Sequence, residues 1–119
     1  MISDGKFRKK EHILKSMDFR AVYRKGRSFK RNGIVLCCLP SPLTYNRLGF
    51  SISSSVVKLA CVRNRIRRLF REIYRKEKRA AGAAFDMVLV VKKNPGKNIS
   101  YRWAESIYLA LVKEAGILA

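Results

Sequence analysis

Residues 62–79, with the sequence VRNRIRRLFREIYRKEKR, constrain the fold of this chain more than any other stretch. They include nine Arg or Lys residues and two Glu residues, so about seven net positive charges lie on eighteen positions. At roughly 100° per residue, the apolar side chains fall within one arc of a helix: Val62, Ile66, Leu69, Phe70 and Ile73. The opposite side carries Arg63, Asn64, Arg67, Arg68, Arg71, Arg75 and Arg79. The pattern predicts a helix with one face for a protein core and the other for a polyanion.

The charge of the whole chain supports a polyanionic partner. Among 119 residues there are 27 Lys or Arg and 8 Asp or Glu, which gives a formal net charge of +19. For a small basic domain the usual partner is nucleic acid, and an anionic membrane is the weaker candidate. No apolar run reaches the roughly 18 residues of a membrane span, and none opens the chain as in a signal peptide. We therefore expect no membrane partner and a cytoplasmic location.

The rest of the sequence predicts one domain, residues 1–119, with a flexible basic tail at 1–12. The elements expected in order are a short helix from Ser16 to Gly26, a segment from Phe29 to Arg31 before an Asn32-Gly33 turn, strands at Ile34–Leu39 and Arg47–Ser53, the basic helix, a strand at Asp86–Lys93 and a helix at Tyr101–Glu114. The two middle strands are expected to be antiparallel neighbours, because a short linker joins them. The basic helix is expected to end near Ala80-Ala81-Gly82. This order predicts a single two-layer α+β sandwich with one sheet.

The sequence predicts no catalytic or metal-binding residues in the protein itself. Hydrolytic sites require paired carboxylates, a nucleophile with a base, or metal ligands. Glu72 and Glu77 lie among arginines, where ion pairing explains them, and His12 is the one histidine. The thiols show no metal-ligand spacing and are expected to be reduced: Cys37, Cys38 and Cys61. For the basic face, the alternative to nucleic-acid binding is a solvated charged stripe, although such a stripe normally interleaves both signs.

The segment from Lys58 to Glu72, KLACVRNRIRRLFRE, resembles the signature of the bacterial ribonuclease P protein subunit. In that signature an Ala precedes Arg-Asn, a basic residue, an aliphatic residue, two basic residues and then Arg-Glu. Three other segments resemble the family's first helix, third strand and last strand: Phe19 with Val22, Tyr23 and Gly26; Arg47–Ser53; and Phe85–Val88. The resemblance covers about Ile13 to Val112.

The resemblance implies both a fold and a function. The fold is a four-stranded mixed sheet with three helices in the order α-β-β-β-α-β-α, with a left-handed β-α-β crossover as in the second domain of ribosomal protein S5. The function is that of an accessory subunit. A catalytic RNA removes the 5′ leader of precursor tRNA with Mg²⁺ that the RNA holds, and the protein binds this RNA and the leader without an obligate protein partner.

The resemblance also assigns two sets of binding residues. The set for the catalytic RNA is Lys58, Arg63, Asn64, Arg65, Arg67, Arg68 and Arg71. The set for the leader is Phe19, Tyr23, Phe29, Lys30 and Arg31, since aromatic rings beside cations hold single strands. Two points stay open: Phe19 and Tyr23 would equally pack the first helix on the sheet, and the Asn64 amide would equally bond RNA or a neighbouring Arg.

Three positions depart from the family pattern. Ser54-Ser55 stand where a basic pair is usual, Val57 lies near a usual glycine, and Cys37 takes the place of a frequent aromatic residue in the cleft strand. Two alternative functions follow if the resemblance misleads. One is a ribosomal or general RNA-binding protein of similar fold, and the other is a protein-only nuclease, which would require activity without RNA.

Overall fold

The computed structural model describes residues 11–13, 16–43, 45–77 and 84–116. Its elements are α1 (Ser16–Lys25), β1 (Arg27–Arg31), β2 (Ile34–Pro40), β3 (Arg47–Ile52), α2 (Ala60–Glu77), β4 (Phe85–Val91) and α3 (Tyr101–Glu114), with a 3₁₀ turn at Gly96–Asn98. The predicted α+β class and element order are confirmed. The predicted end of the basic helix near Gly82 lies outside the described residues.

The four strands form one mixed sheet in the order β1-β2-β4-β3. Asn32 and Gly33 both have positive φ, 50° and 79°, which matches the tight turn of an antiparallel hairpin between β1 and β2. β4 pairs antiparallel with β2 and parallel with β3. The prediction that β2 and β3 are antiparallel neighbours is therefore wrong. α2 carries the chain from β3 into a parallel β4, which takes the central place beside β2. The left-handed sense of this crossover stays a prediction.

One face of the sheet is covered by α2 and α3. The predicted apolar side of α2 is confirmed, because Ile66, Phe70 and Ile73 are buried in the main core and Val62 and Leu69 pack partly against it. Tyr74 is also buried, at the end of this apolar arc, and its hydroxyl lies 3.5 Å from the carbonyl oxygen of Asn46. Burial raises the pKa of the Tyr74 hydroxyl.

The other face of the sheet is covered by α1. Helices therefore lie on both faces of the sheet, with α2 and α3 on one and α1 on the other. Val22 of α1 is buried in a second cluster with Ile13, Cys37 and Val88. Alternate residues of β2 and of β4 belong to different clusters. Because alternate side chains of a strand point to opposite faces, the two clusters lie on opposite faces of the sheet.

The segment at residues 11–13 lies along the free edge of β3. His12 forms a parallel bridge with Leu48, and the Ile13 amide donates to the Leu48 carbonyl at 3.1 Å. Glu11 and Ile13 are buried. Glu11 and His12 therefore lie against the sheet rather than in a tail, and residues 1–10 of the predicted tail lie outside the described residues.

An ion-pair network fixes α1 across the sheet. The Arg47 guanidinium donates to both carboxylate oxygens of Asp86, at 2.9 and 2.6 Å, and to Asp18 in the first turn of α1, at 3.2 Å. These hydrogen bonds raise the pKa of Arg47. The network joins β3, β4 and α1 through one side chain.

Candidate nucleic-acid interface

The exposed side of α2 lines an open cleft of about 710 Å³. Four residues of the predicted RNA-binding set lie together there: Asn64, Arg67, Arg68 and Arg71. Glu72 and Arg75 continue the lining toward the end of the helix, and His12 contributes from the segment beside β3. The 18 residues of α2 extend about 27 Å, long enough to reach several phosphates.

Neighbouring side chains orient the arginines of this cleft. Arg67 donates through Nη1 to Asn64 Oδ1 at 3.0 Å, and the Arg71 guanidinium lies 5.6 Å from the centre of the Phe50 ring. Of the two roles open for Asn64, the structure therefore shows the bond to a neighbouring Arg. Arg68 is exposed between them. Arg67 and Arg71 are held by an amide and a ring, neither of which carries a negative charge. Their positive charges therefore remain available to phosphate oxygens.

The acidic residue of the cleft is engaged by cations. Glu72 accepts from Arg75, three residues on, and its carboxylate lies 3.9 Å from the Lys76 ammonium group. The Arg75 hydrogen bond lowers the pKa of Glu72 and in turn raises that of Arg75. Charge pairing is thus confined to the C-terminal part of α2, and the net positive charge of the cleft centres on Arg67, Arg68 and Arg71.

Two further arginines of the predicted set hold loops. Arg63 donates through Nη1 to the carbonyl oxygens of Val57 and Lys58, at 2.8 and 2.9 Å, and Arg65 donates through Nη2 to the Ile99 carbonyl at 2.9 Å. Lys58 is exposed on the loop that Arg63 supports. The structure therefore places Lys58, Arg63 and Arg65 around the N-terminal end of α2, apart from the residues that line the cleft.

Sequence reasoning missed His12 as a residue of the cleft. No local signal marks it, since it reaches the cleft only through the bridge that pairs it with Leu48, 36 positions later. The spacing of apolar residues along the sequence does not reveal long-range pairing of this kind.

The predicted leader set divides between the two faces of the sheet. Phe19 packs over β3 so closely that a Cβ on Gly49 would lie 2.9 Å from its ring. Tyr23, whose ring centre is 6.4 Å from that of Phe19, is 47% exposed. Of the two possible roles of these aromatic residues, Phe19 has the first, packing on the sheet. The ring of Tyr23 instead remains exposed.

Strand register separates the three leader residues predicted on β1. Lys30 pairs with Val35, which faces α1, whereas Phe29 pairs with Leu36, which faces the main core. Phe29 packs against that core under the Arg27 guanidinium, 5.2 Å from its ring centre. Arg31 shares the parity of Phe29. The structure therefore brings Lys30 to the face of Phe19 and Tyr23 but does not bring Phe29 or Arg31 there.

Beside α1, one row of side chains crosses all four strands. The pairings align Lys30 of β1, Val35 of β2, Val90 of β4 and Ser51 of β3. Val35, Val90 and Ser51 are only half-buried, whereas Cys37 in the next row is buried and its sulfur lies 3.6 Å from the Ser28 hydroxyl. We call these four aligned residues the α1-side strip. Its apolar centre and its terminal lysine suit an unpaired nucleotide chain.

Within the described ranges, no helix has the length and apolar character needed to cross a membrane. Across the same ranges, no three His, Cys, Asp or Glu side chains gather as metal ligands would.

Comparison with known proteins gives one consistent result. The model of the family described as Ribonuclease P matches residues 7–116. The ribonuclease P protein component of Clostridium botulinum is 37% identical over 112 residues, covering 92% of this chain and 97% of the relative. That of Alkaliphilus metalliredigens is 33% identical over 107 residues, covering 90% and 95%. The structure of Staphylococcus aureus RNase P protein superposes with a TM-score of 0.80 at 25% identity, covering 92% of this chain and 98% of that one.

Proposed function

This chain belongs to the bacterial ribonuclease P protein family, and from that membership we propose how its surfaces serve tRNA 5′ processing. A catalytic RNA cleaves the precursor, with Mg²⁺ that the RNA holds, in the cytoplasm. The protein supplies two RNA-binding surfaces on opposite sides of its sheet. The observation that carries this proposal is the cleft on α2, where three arginines lie together and Glu72 is engaged by Arg75.

The cleft binds the phosphate backbone of the catalytic RNA. Arg67, Arg68 and Arg71 occupy successive positions along the exposed side of α2. Planar guanidinium groups donate two hydrogen bonds to one phosphate, and the release of counterions makes such binding strongly salt-dependent. Family membership favours this role over that of a ribosomal or general RNA-binding protein without a part in tRNA processing.

The α1-side strip, together with Tyr23, binds the 5′ leader of precursor tRNA. The exposed ring of Tyr23 offers a stacking surface for an unpaired base, and Lys30 offers a contact to the leader backbone. Beside Lys30, Val35 and Val90 form a floor without hydrogen-bonding groups in their side chains. Such a surface holds a single strand with little regard to its sequence, as a subunit serving many precursors requires.

Reconstitution with the cognate catalytic RNA tests the proposed function. Cleavage of precursor tRNA at low Mg²⁺ is expected to depend on the protein, because the protein offsets phosphate repulsion that higher Mg²⁺ would otherwise screen. Cleavage that proceeds equally without the protein would contradict the proposal. Cleavage by the purified protein alone, lost when an Asp or Glu is replaced, would instead support a protein nuclease.

Tyr23→Ala is expected to reduce the preference of the holoenzyme for leader-bearing over leaderless tRNA about tenfold, since one base–ring stack is lost. Equilibrium binding of both substrates measures this ratio. Met17→Ala is the matched control, because Met17 is 78% exposed on the same helix. Phe19→Ala is expected to weaken both substrates equally and to lower the free energy of unfolding by about 2 kcal/mol. An unchanged ratio in Tyr23→Ala would remove Tyr23 from the leader site.

A further inference from the structure

A second cleft, of about 530 Å³, lies at the N-terminal end of α2. The loop before α2 forms one side of it and the loop between β4 and α3 forms the other. The apolar part of its lining comes from Val56, Val57, Leu59, Val62 and Ile99. Leu59 is 63% exposed, so much of its aliphatic side chain is accessible to a partner within this cleft.

The rim of this cleft is basic. Lys58, Arg65 and Lys97 contribute cations, and no acidic side chain is among the described residues that line it. Arg65 is held in place because Nη2 donates to the Ile99 carbonyl at 2.9 Å, which also joins the two sides of the cleft. An apolar floor beneath a basic rim, with no carboxylate among the described lining residues, matches a group that is flat and apolar at one end and anionic at the other.

A nucleotide has that chemistry. Its base would lie against the aliphatic side chains of Leu59 and Val62, and its phosphate would lie near Lys58 and Lys97. The base must be unpaired, because a base within a duplex is stacked and paired and cannot enter such a cleft. A cavity of this size is adequate for a single nucleotide.

The position of the cleft indicates which RNA supplies this nucleotide. Leu59 directly precedes α2 and lies nine residues before Arg68, which corresponds to about 14 Å along the helix axis. The second cleft therefore lies at one end of the helix whose arginines are proposed to bind the catalytic RNA. The α1-side strip, proposed for the leader, lies on the opposite face of the sheet.

We propose that this second cleft captures one unpaired nucleotide of the catalytic RNA. The inference rests on the proposed function, since it assigns a further contact to the same RNA partner. The arginines of α2 hold the backbone, and the cleft at the N-terminal end of the helix holds a base that projects from the RNA structure. This contact fixes where along α2 the RNA lies, which phosphate contacts alone do not determine.

Leu59→Asp tests the proposal in the reconstituted complex. The new carboxylate replaces an apolar contact and pairs with the nearby lysines, so affinity for the catalytic RNA is expected to fall about tenfold further than in a charge-matched control. The fold is expected to persist, because Leu59 directly precedes α2 and Asp is a favoured residue at that position. Met17→Asp is the control, since it makes the same charge change at an exposed site in the first turn of α1. Leu59→Met is expected to retain the affinity.

The outcomes separate this inference from the proposed function. If Leu59→Asp and Met17→Asp weaken RNA binding equally while the wild-type protein supports cleavage, the cleft has no nucleotide and the proposed function stands. If Leu59→Asp instead lowers the preference for leader-bearing tRNA and leaves catalytic-RNA affinity at the control value, the nucleotide belongs to the leader and the proposal is overturned. If wild-type protein neither binds the RNA nor supports cleavage, the proposed function itself fails.

Discussion

Replacing Arg67, Arg68 and Arg71 together by Ala is expected to weaken binding of the catalytic RNA about 100-fold at moderate salt, since each charged contact contributes about 1 kcal/mol. The three side chains line one cleft, and the nearby carboxylate of Glu72 is engaged by Arg75. Their removal takes away positive charge that no other group in the cleft replaces. The fold is expected to be retained, because the core side of α2 is unchanged.

The salt dependence of binding gives the sharper measurement. The slope of log K against log salt is expected to become shallower because about three phosphate contacts are lost. Each contact contributes roughly 0.7 to 0.9 to the slope. The matched control replaces three exposed cations outside the cleft, Lys93, Arg102 and Lys113, by Ala. This control removes the same net charge but is expected to change the slope much less. Equal slopes for the two triple variants would mean that the protein binds RNA through its overall charge.

The sequence predicts the basic helix well because amphipathic periodicity is a local property. The buried Ile66, Phe70 and Ile73 follow from their spacing alone. The arginines of this helix divide into two groups according to what they contact. Arg63 and Arg65 bond loop carbonyls, whereas Arg67 and Arg71 line the cleft. Which group an arginine joins depends on the path of loops far away in the sequence.

The pairing of strands shows the same limit. The Asn32-Gly33 turn is a local signal, and the structure places it at the tight turn between β1 and β2. The insertion of β4 between β2 and β3 depends on where α2 returns the chain, which no local pattern contains. Register then decides which face each residue of β1 occupies, so Lys30 faces α1 while Phe29 joins the main core. A shift of one residue in this register would move each side chain of β1 to the other face of the sheet, and so would exchange binding positions with core positions.

Arg47→Met is expected to cost about 3 to 5 kcal/mol in the free energy of unfolding, because it leaves a buried carboxylate without its cation. The Asp86 side chain is 5% exposed and that of Arg47 is 14% exposed, so water does not replace the lost hydrogen bonds. Urea unfolding monitored by circular dichroism measures the change. Arg75→Met is the control, because its pair with Glu72 is about 40% exposed and such pairs contribute about 1 kcal/mol or less.

A second substitution identifies the cause of this loss. Arg47→Met combined with Asp86→Leu removes the buried charge together with its partner, and the double variant is expected to be more stable than Arg47→Met alone. Asp18 is 31% exposed, so its remaining carboxylate is hydrated. The double variant still lacks the bond that holds the start of α1 to β3, so we expect both it and Arg47→Met to prefer leader-bearing tRNA less than the wild-type protein does. Recovery of both stability and leader preference would mean that Arg47 only neutralises Asp86 and does not position α1 for the leader.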